Sequence, residues 1–166
     1  MARFAGVLPY AYDHEQRLHF LLARELYGRE RGSWSGFAGG IQARDGTLLR
    51  SAAREAFEES SGLLGSSDVL AQLLATNGKE IVVTAGVHFL LPIQYNQYLP
   101  FMFSGVQDAI NCAVKGTAAC GRYSPLLEKD QLRWFVEDEL CVPGKWSFRR
   151  GFLDDVPFLL AGVKSL

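Results

Sequence analysis

Residues 39–63 read GGIQARDGTLLRSAAREAFEESSGL, and they carry the clearest pattern in the 166-residue chain. Glu55, Glu58 and Glu59 stand at i, i+3 and i+4, so a helix presents all three on one face. Three clustered carboxylates repel one another and disfavour an isolated helix. A divalent cation turns that repulsion into attraction, and an oxygen-only ligand set suits Mg²⁺ or Mn²⁺ better than zinc. Leu49, Ala52, Ala53, Ala56 and Phe57 form an apolar stripe beside the acidic face. One side therefore packs on a sheet while the other looks into a cleft. Gly39-Gly40 and Asp45-Gly46 are turn signals, so the stretch reads strand, loop, helix, loop.

The stretch resembles the signature of Nudix hydrolases. That signature runs Gly, five residues, Glu, seven residues, Arg-Glu, an apolar residue, any residue, Glu-Glu, any residue, Gly and an apolar residue. Gly40 fits the opening glycine, and Arg54-Glu55, Ala56 and Glu58-Glu59 fall at the required spacing. Two positions depart from it. The first glutamate falls on Gly46, and the closing glycine comes one residue late, at Gly62. In the family that glutamate supports the helix through the arginine, and Asp45 is placed to pair with Arg54 in its stead, with a shifted loop. The late glycine implies one extra residue at the helix C-cap. Most Glu-rich helices are solvated faces; the joint occurrence of Gly-Gly, the spacing, REAFEE and a terminal glycine sets this one apart.

The resemblance implies an α/β fold, an α/β/α sandwich around a mixed β-sheet, and hydrolysis of a diphosphate linkage in a nucleoside diphosphate joined to another group. It implies Glu55, Glu58 and Glu59 as ligands of Mg²⁺ or Mn²⁺, the Gly39 carbonyl as a further ligand, and Arg54 orienting Glu55 or Glu58. The physics agrees: a diphosphate repels an attacking nucleophile, and divalent metals neutralise its oxygens and acidify bound water. The general base is a box glutamate or a carboxylate from a later segment, Glu128 or Glu137, and the sequence does not choose. A second class remains open: a Nudix-like module that binds a nucleotide or a protein with little or no hydrolysis. Gly46 favours it, and retention of all three helix-face glutamates opposes it. Capped RNA is a further substrate option, weakened by a net charge of −1 and no basic stripe. In the family a spaced proline after the box marks ADP-ribose-type substrates; residues 63–91 contain none.

A 48% hydrophobic composition implies one domain over residues 1–166 with a sizeable core. No run is apolar enough to cross a bilayer, and residues 1–13 lack the features of a signal peptide. Cys112, Cys120 and Cys141 cannot all pair and have no zinc spacing, which fits a cytoplasmic compartment. Cys112 and Cys120 are expected in the core.

In chain order, 3–12 and 18–25 read as strands joined by a polar turn at 13–16, with Pro9 implying an edge or bulge position. His14 and His19 are metal-ligand candidates only weakly, since a histidine beside a turn is ordinarily exposed. The loop 27–33 gathers Arg24, Arg29 and Arg31, either as spare solvated charge or as a phosphate-binding edge. Trp34 either stacks on a base or fills the core. Residues 68–76 are ambiguous between helix and strand, and Asn77-Gly78 is a hairpin signal. Residues 80–93 read as one buried central strand, with His88 as a satisfied core histidine. A loop over 95–103 leads to a helix over 104–120, with Ser104 and Gln107 as a capping box. A linker over 125–131, a strand over 132–136, an acidic turn over 137–140 and a helix over 151–163 close the chain. The apolar surplus at 90–103 offers a homodimer face.

Overall fold

The computed structural model describes residues 2–117, 125–142 and 144–165. Its strands are β1 (Phe4–Tyr12), β2 (Leu18–Glu25), β3 (Trp34–Ser35), β4 (Phe37–Gly40), β5 (Lys79–Val82), β6 (Gly86–Pro92) and β7 (Lys129–Val136). Its helices are α1 (Leu48–Glu59), α2 (Ser67–Asn77), α3 (Leu99–Val114), α4 (Glu137–Cys141) and α5 (Phe152–Lys164). The strands form one seven-stranded sheet in the order β3-β2-β1-β6-β5, with β4 also pairing β1 and β7 pairing β2. β1 and β6 run parallel and the other pairs antiparallel, so the sheet is mixed.

Strand alternation sorts the side chains into two cores. Leu21 and Ala23 of β2 face α1 and α2, where Ala52, Ala53, Ala56, Leu70 and Leu74 are buried. Phe20 and Leu22 face the other way, onto Phe152, Val156, Leu159 and Val163 of α5. Helices thus cover both faces, as the α/β/α expectation requires. The alanines of α1 let its axis come close to the sheet and leave its acidic face at the rim.

Several local expectations are corrected. Pro9 lies inside β1, a central strand. β4 pairs with β1 as far as Val7 and β2 only from Tyr10, so Pro9, with no N–H to donate, occupies the gap between two antiparallel partners. Residues 68–76 belong to α2, capped by the Ser66 side chain, which accepts from the Val69 N–H. Asn77-Gly78 ends that helix and forms no hairpin, since the Gly78 N–H bonds back to the Leu74 carbonyl. The hairpin falls inside the run 80–93, where the Val83 N–H donates to the Gly86 carbonyl at 3.0 Å. Thr84 and Ala85 carry no turn chemistry, which is why an apolar run concealed it. α3 begins at Leu99, ahead of Ser104, because Pro100 fits a first helical turn. Ser104 lies within the helix and donates to the Pro100 carbonyl at 3.3 Å, while Gln107 ties to Ser61 and the Leu126 carbonyl. Cys112 is exposed, against the expectation of a core role; Cys120 lies outside the described residues. β7 starts at Lys129 within the expected linker, and the acidic residues 137–140 belong to α4. Among the described residues no helix is long and apolar enough to cross a membrane.

Candidate active site

α1 begins at its Thr47 cap, whose side chain accepts from the Arg50 N–H at 3.1 Å. Two turns on, Arg54 is the hub of the site. Its Nε and Nη2 each lie 3.1 Å from an Asp45 oxygen. Its Nη1 lies 2.8 Å from Glu55 and 2.9 Å from Glu58, and its Nη2 donates to the Gly40 carbonyl at 3.0 Å. Burial works against the Arg54 charge, but Asp45, Glu55 and Glu58 outweigh it and hold its pKa up. Gly46 has φ +74°, a conformation in which a glutamate is strained. The supporting carboxylate sits one residue earlier, at Asp45, which also accepts from the Ser51 hydroxyl at 2.7 Å. Hydrogen bonds from Arg54 and Ser51 lower the Asp45 pKa to about 2, against its burial. The helix end follows the late glycine: Ser61 (φ 54°) and Gly62 (φ 76°) turn left-handed, and the Gly62 N–H reaches back to the Phe57 carbonyl at 2.8 Å.

The three acidic residues have different surroundings. Glu55 is buried against Gly39, where a Cβ would overlap its carboxylate. Burial raises its pKa, Arg54 opposes that, and Glu58 and Glu128 add to it. Glu58 is the more open of the two. Glu59 is buried, and both of its oxygens are engaged: Oε2 accepts the Ala38 N–H at 2.8 Å, and Oε1 lies 2.9 Å from Lys129 Nζ. Burial pushes the Glu59 carboxyl up, with Lys129 pulling the other way. Lys129 is fully buried and also meets Glu25 at 2.5 Å.

Lys129 and Glu25 were not legible in the sequence. Leu132 and Trp134 of β7 face α1, so simple alternation would put Asp130 on that face and Lys129 on the opposite one. The β2–β7 ladder instead shifts register between Arg24 and Glu25, pairing Arg24 with Gln131 and Glu25 with Lys129. This bulge aims Lys129 at the α1 carboxylates. It also frees Asp130, which takes Arg24 in two hydrogen bonds of 2.8 and 2.7 Å.

Beside the carboxylates lies a cavity of about 520 Å³, within the range of small-molecule sites. Gly39 and Gly40 form its edge next to Glu55, and Arg3, Arg149, Arg150, His88, Asp154 and Asp155 contribute its polar wall. Arg149 joins the two regions: its Nη1 donates to the Ala38 carbonyl at 3.2 Å and lies 3.5 Å from Glu25. His88 is buried, not satisfied as expected. Its Nε2 is 3.5 Å from Asp155, and its Nδ1 finds no partner among the described residues. Burial lowers its pKa to about 4.

The residues expected to hold substrate lie elsewhere. Arg24 is bound by Asp130, Trp34 is packed in the α5-side core, and Arg29 and Arg31 are exposed; none of the four lines the cavity. His14 is exposed, and His19 is buried with Nε2 2.9 Å from Asp13. Of the later carboxylates, Glu137 is tied to Lys164 at 2.6 Å. Glu128 stands by the cluster; loss of water, then the charges of Glu58 and Glu25, raise its pKa against the pull of Lys129.

The donor set fits a hard divalent cation in chemistry. Glu25, Glu55, Glu58, Glu59 and Glu128 are all oxygen donors and outnumber Arg54 and Lys129. As the side chains stand, all but Glu128 turn to those two cations, and among the described residues no three metal-ligating groups converge.

No family model and no curated protein matches the chain. Solved structures do. A Nudix hydrolase from M. smegmatis, RenU, is 18% identical with a TM-score of 0.55, over 99% of this chain and 88% of that one. The Nudix domain of Shewanella oneidensis NrtR, solved with ADP ribose, is 10% identical with a TM-score of 0.54, over 98% and 88%. A MutT/nudix family protein from Enterococcus faecalis is 12% identical with a TM-score of 0.58, over 99% of this chain and 63% of that one. With a mixed sheet between helical layers and a box that departs at Gly46 alone before its closing glycine, the chain has the Nudix hydrolase fold.

Proposed function

We propose that the chain is a pyrophosphohydrolase dependent on Mg²⁺ or Mn²⁺, cleaving a diphosphate linkage in a nucleotide-like substrate. The observation that carries the reading is the juxtaposition of Glu55, joined to Glu58 through Arg54, with a cavity bearing three arginines across Gly39. The Gly39 carbonyl, Glu55 and Glu58 would hold the metal, with Glu128 beside them. Glu59, named with them from the sequence, joins only if it leaves Lys129. A bound divalent ion would neutralise phosphate oxygens and acidify water.

The chain's own residues have these roles. Arg3, Arg149 and Arg150 draw the anionic chain into the cavity, as guanidinium forks suit phosphate oxygens. Arg54 fixes Glu55 and Glu58, and Glu128, beside them, accepts the proton of the attacking water. The related NrtR domain was solved with ADP ribose, which makes nucleoside diphosphates with a sugar attached the first compounds to try.

A second reading is a nucleotide-binding module with little turnover. It is favoured by Arg54 and Lys129, which occupy the carboxylates without any metal. Turnover of a panel of nucleoside diphosphate derivatives, with Mg²⁺, Mn²⁺ or chelator, separates the two. Metal-dependent cleavage to a nucleoside monophosphate and a phosphorylated second product, abolished in Glu58→Gln, supports the enzyme. Saturable nucleotide binding without cleavage in any metal supports the module.

A further inference from the structure

We propose that Lys129 is a tethered cation of the carboxylate cluster: its ammonium takes the place of one divalent ion, so the chain loads one ion fewer than its carboxylates would otherwise hold. The inference rests on reading the outer carboxylates as a divalent-ion site, though not on any turnover.

Three observations carry it. First, Lys129 is fully buried, and its Nζ lies between two carboxylates of different elements, 2.5 Å from Glu25 on β2 and 2.9 Å from Glu59 on α1. A lysine leaves water this completely only when its charge is matched. Second, the position is built. The register slip in the β2–β7 ladder turns Lys129 onto the α1 face, which regular alternation would have denied it. Third, the cation divides the acidic residues into two groups. Glu25 and Glu59 are neutralised inside by Lys129, with Arg149 and the Ala38 N–H completing their contacts. Glu55 and Glu58 share Arg54 with Asp45, and Glu128 has no ion-pair partner among the described residues, so the uncompensated charge lies on the outer side.

An ammonium and a divalent metal both satisfy carboxylates but differ in what they do next. The ammonium brings its own fixed hydrogens and offers no open coordination position. Glu59 is then a structural partner of Lys129, and a metal ion is confined to Glu55, Glu58 and Glu128.

The test uses the full chain and Mn²⁺ alone. Bound Mn²⁺ is counted from the electron paramagnetic resonance of the free ion, for the wild type and for Lys129→Met, and both are melted with and without millimolar Mn²⁺. Lys129→Met is expected to bind one more ion per chain and to melt lower without metal, with Mn²⁺ restoring more of its melting temperature than it adds to the wild type. Equal ion counts and equal melting shifts would overturn the proposal. If the wild type binds no Mn²⁺ but Lys129→Met does, the tethered cation stands and the metal-dependent hydrolase falls. Should Lys129→Met fail to fold, Glu59→Gln decides: wild-type Mn²⁺ affinity is expected to persist, and a loss of about tenfold would return Glu59 to the metal and remove Lys129 from its role.

Discussion

Asp45 grips Arg54 through both carboxylate oxygens, each 3.1 Å from a guanidinium nitrogen, from one residue ahead of the position where the family box places a glutamate. The side chains are 6% and 11% exposed, so the pair works in a largely dry setting. Breaking such a pair leaves a buried arginine partly unmatched. Asp45→Asn is expected to lower the unfolding free energy by about 3 kcal/mol, read from the urea midpoint. A midpoint equal to that of the wild type would mean that Glu58 and Glu55 suffice to hold Arg54. The folded pKa of Asp45, about 2, lies below its unfolded value of 3.8. Its contribution is therefore complete above about pH 4 and is lost as the pH falls toward 2.

Gly39 is a point of close approach. Its missing side chain makes room for the Glu55 carboxylate, which any Cβ would overlap. Gly39→Ala is expected to displace Glu55 and lower turnover or Mn²⁺ binding by about tenfold or more, with a smaller effect on melting. Gly40→Ala meets nothing within 4 Å and serves as the control. Equal behaviour of the two variants would separate Glu55 from the chemistry.

His88 gives a pH signature. Burial depresses its folded pKa to about 4 from 6.5, so the fold holds it neutral. Its stability is fully present above pH 6.5 and is lost as the pH drops from 6.5 toward 4, because the unfolded chain takes up the proton first. The slope is at most about 1.4 kcal/mol per pH unit. His88→Gln should flatten that part of the stability profile; an unchanged slope would assign it to groups other than Asp155, whose raised carboxyl pKa slopes the profile the other way.

The cavity arginines and the loop arginines make opposite predictions. Arg3→Ala and Arg150→Ala are expected to weaken binding of a nucleoside diphosphate by about tenfold each, raising KM more than they lower kcat. Arg29→Ala and Arg31→Ala, outside the cavity lining, should leave both parameters unchanged. The reverse result would move the anion site to the loop 27–33.

What the sequence conveyed depended on whether the signal was local. The box helix, Thr47 to Gly62, is written in spacing, caps and glycines, and it formed where those residues stand. The Asp45–Arg54 pair was legible for the same reason, since a vacant position and a neighbouring acid lie on one turn. β2 was legible from its apolar run. The turn at 83–86 was not, because its central residues, Thr84 and Ala85, lack turn chemistry and the pairing that makes it is between β5 and β6. Lys129 was hidden more deeply. Its direction depends on a slip against a strand about a hundred residues earlier, and no residue near it announces that slip. The cavity arginines were not legible by proximity in sequence: Arg3, Arg149 and Arg150 come from opposite ends of the chain and meet only once β1 and the start of α5 are side by side.

Arg149 touches the cavity, the Ala38 carbonyl and Glu25 at once. A guest anion that draws this guanidinium toward itself leaves Glu25 with Lys129 as its nearer counterion. Occupancy of the pocket and the ionic balance beneath α1 are then joined by a single side chain. Such coupling is reciprocal by thermodynamic necessity: whatever changes the charge around Glu25 must retune the grip on the guest, and by the same factor that the guest returns.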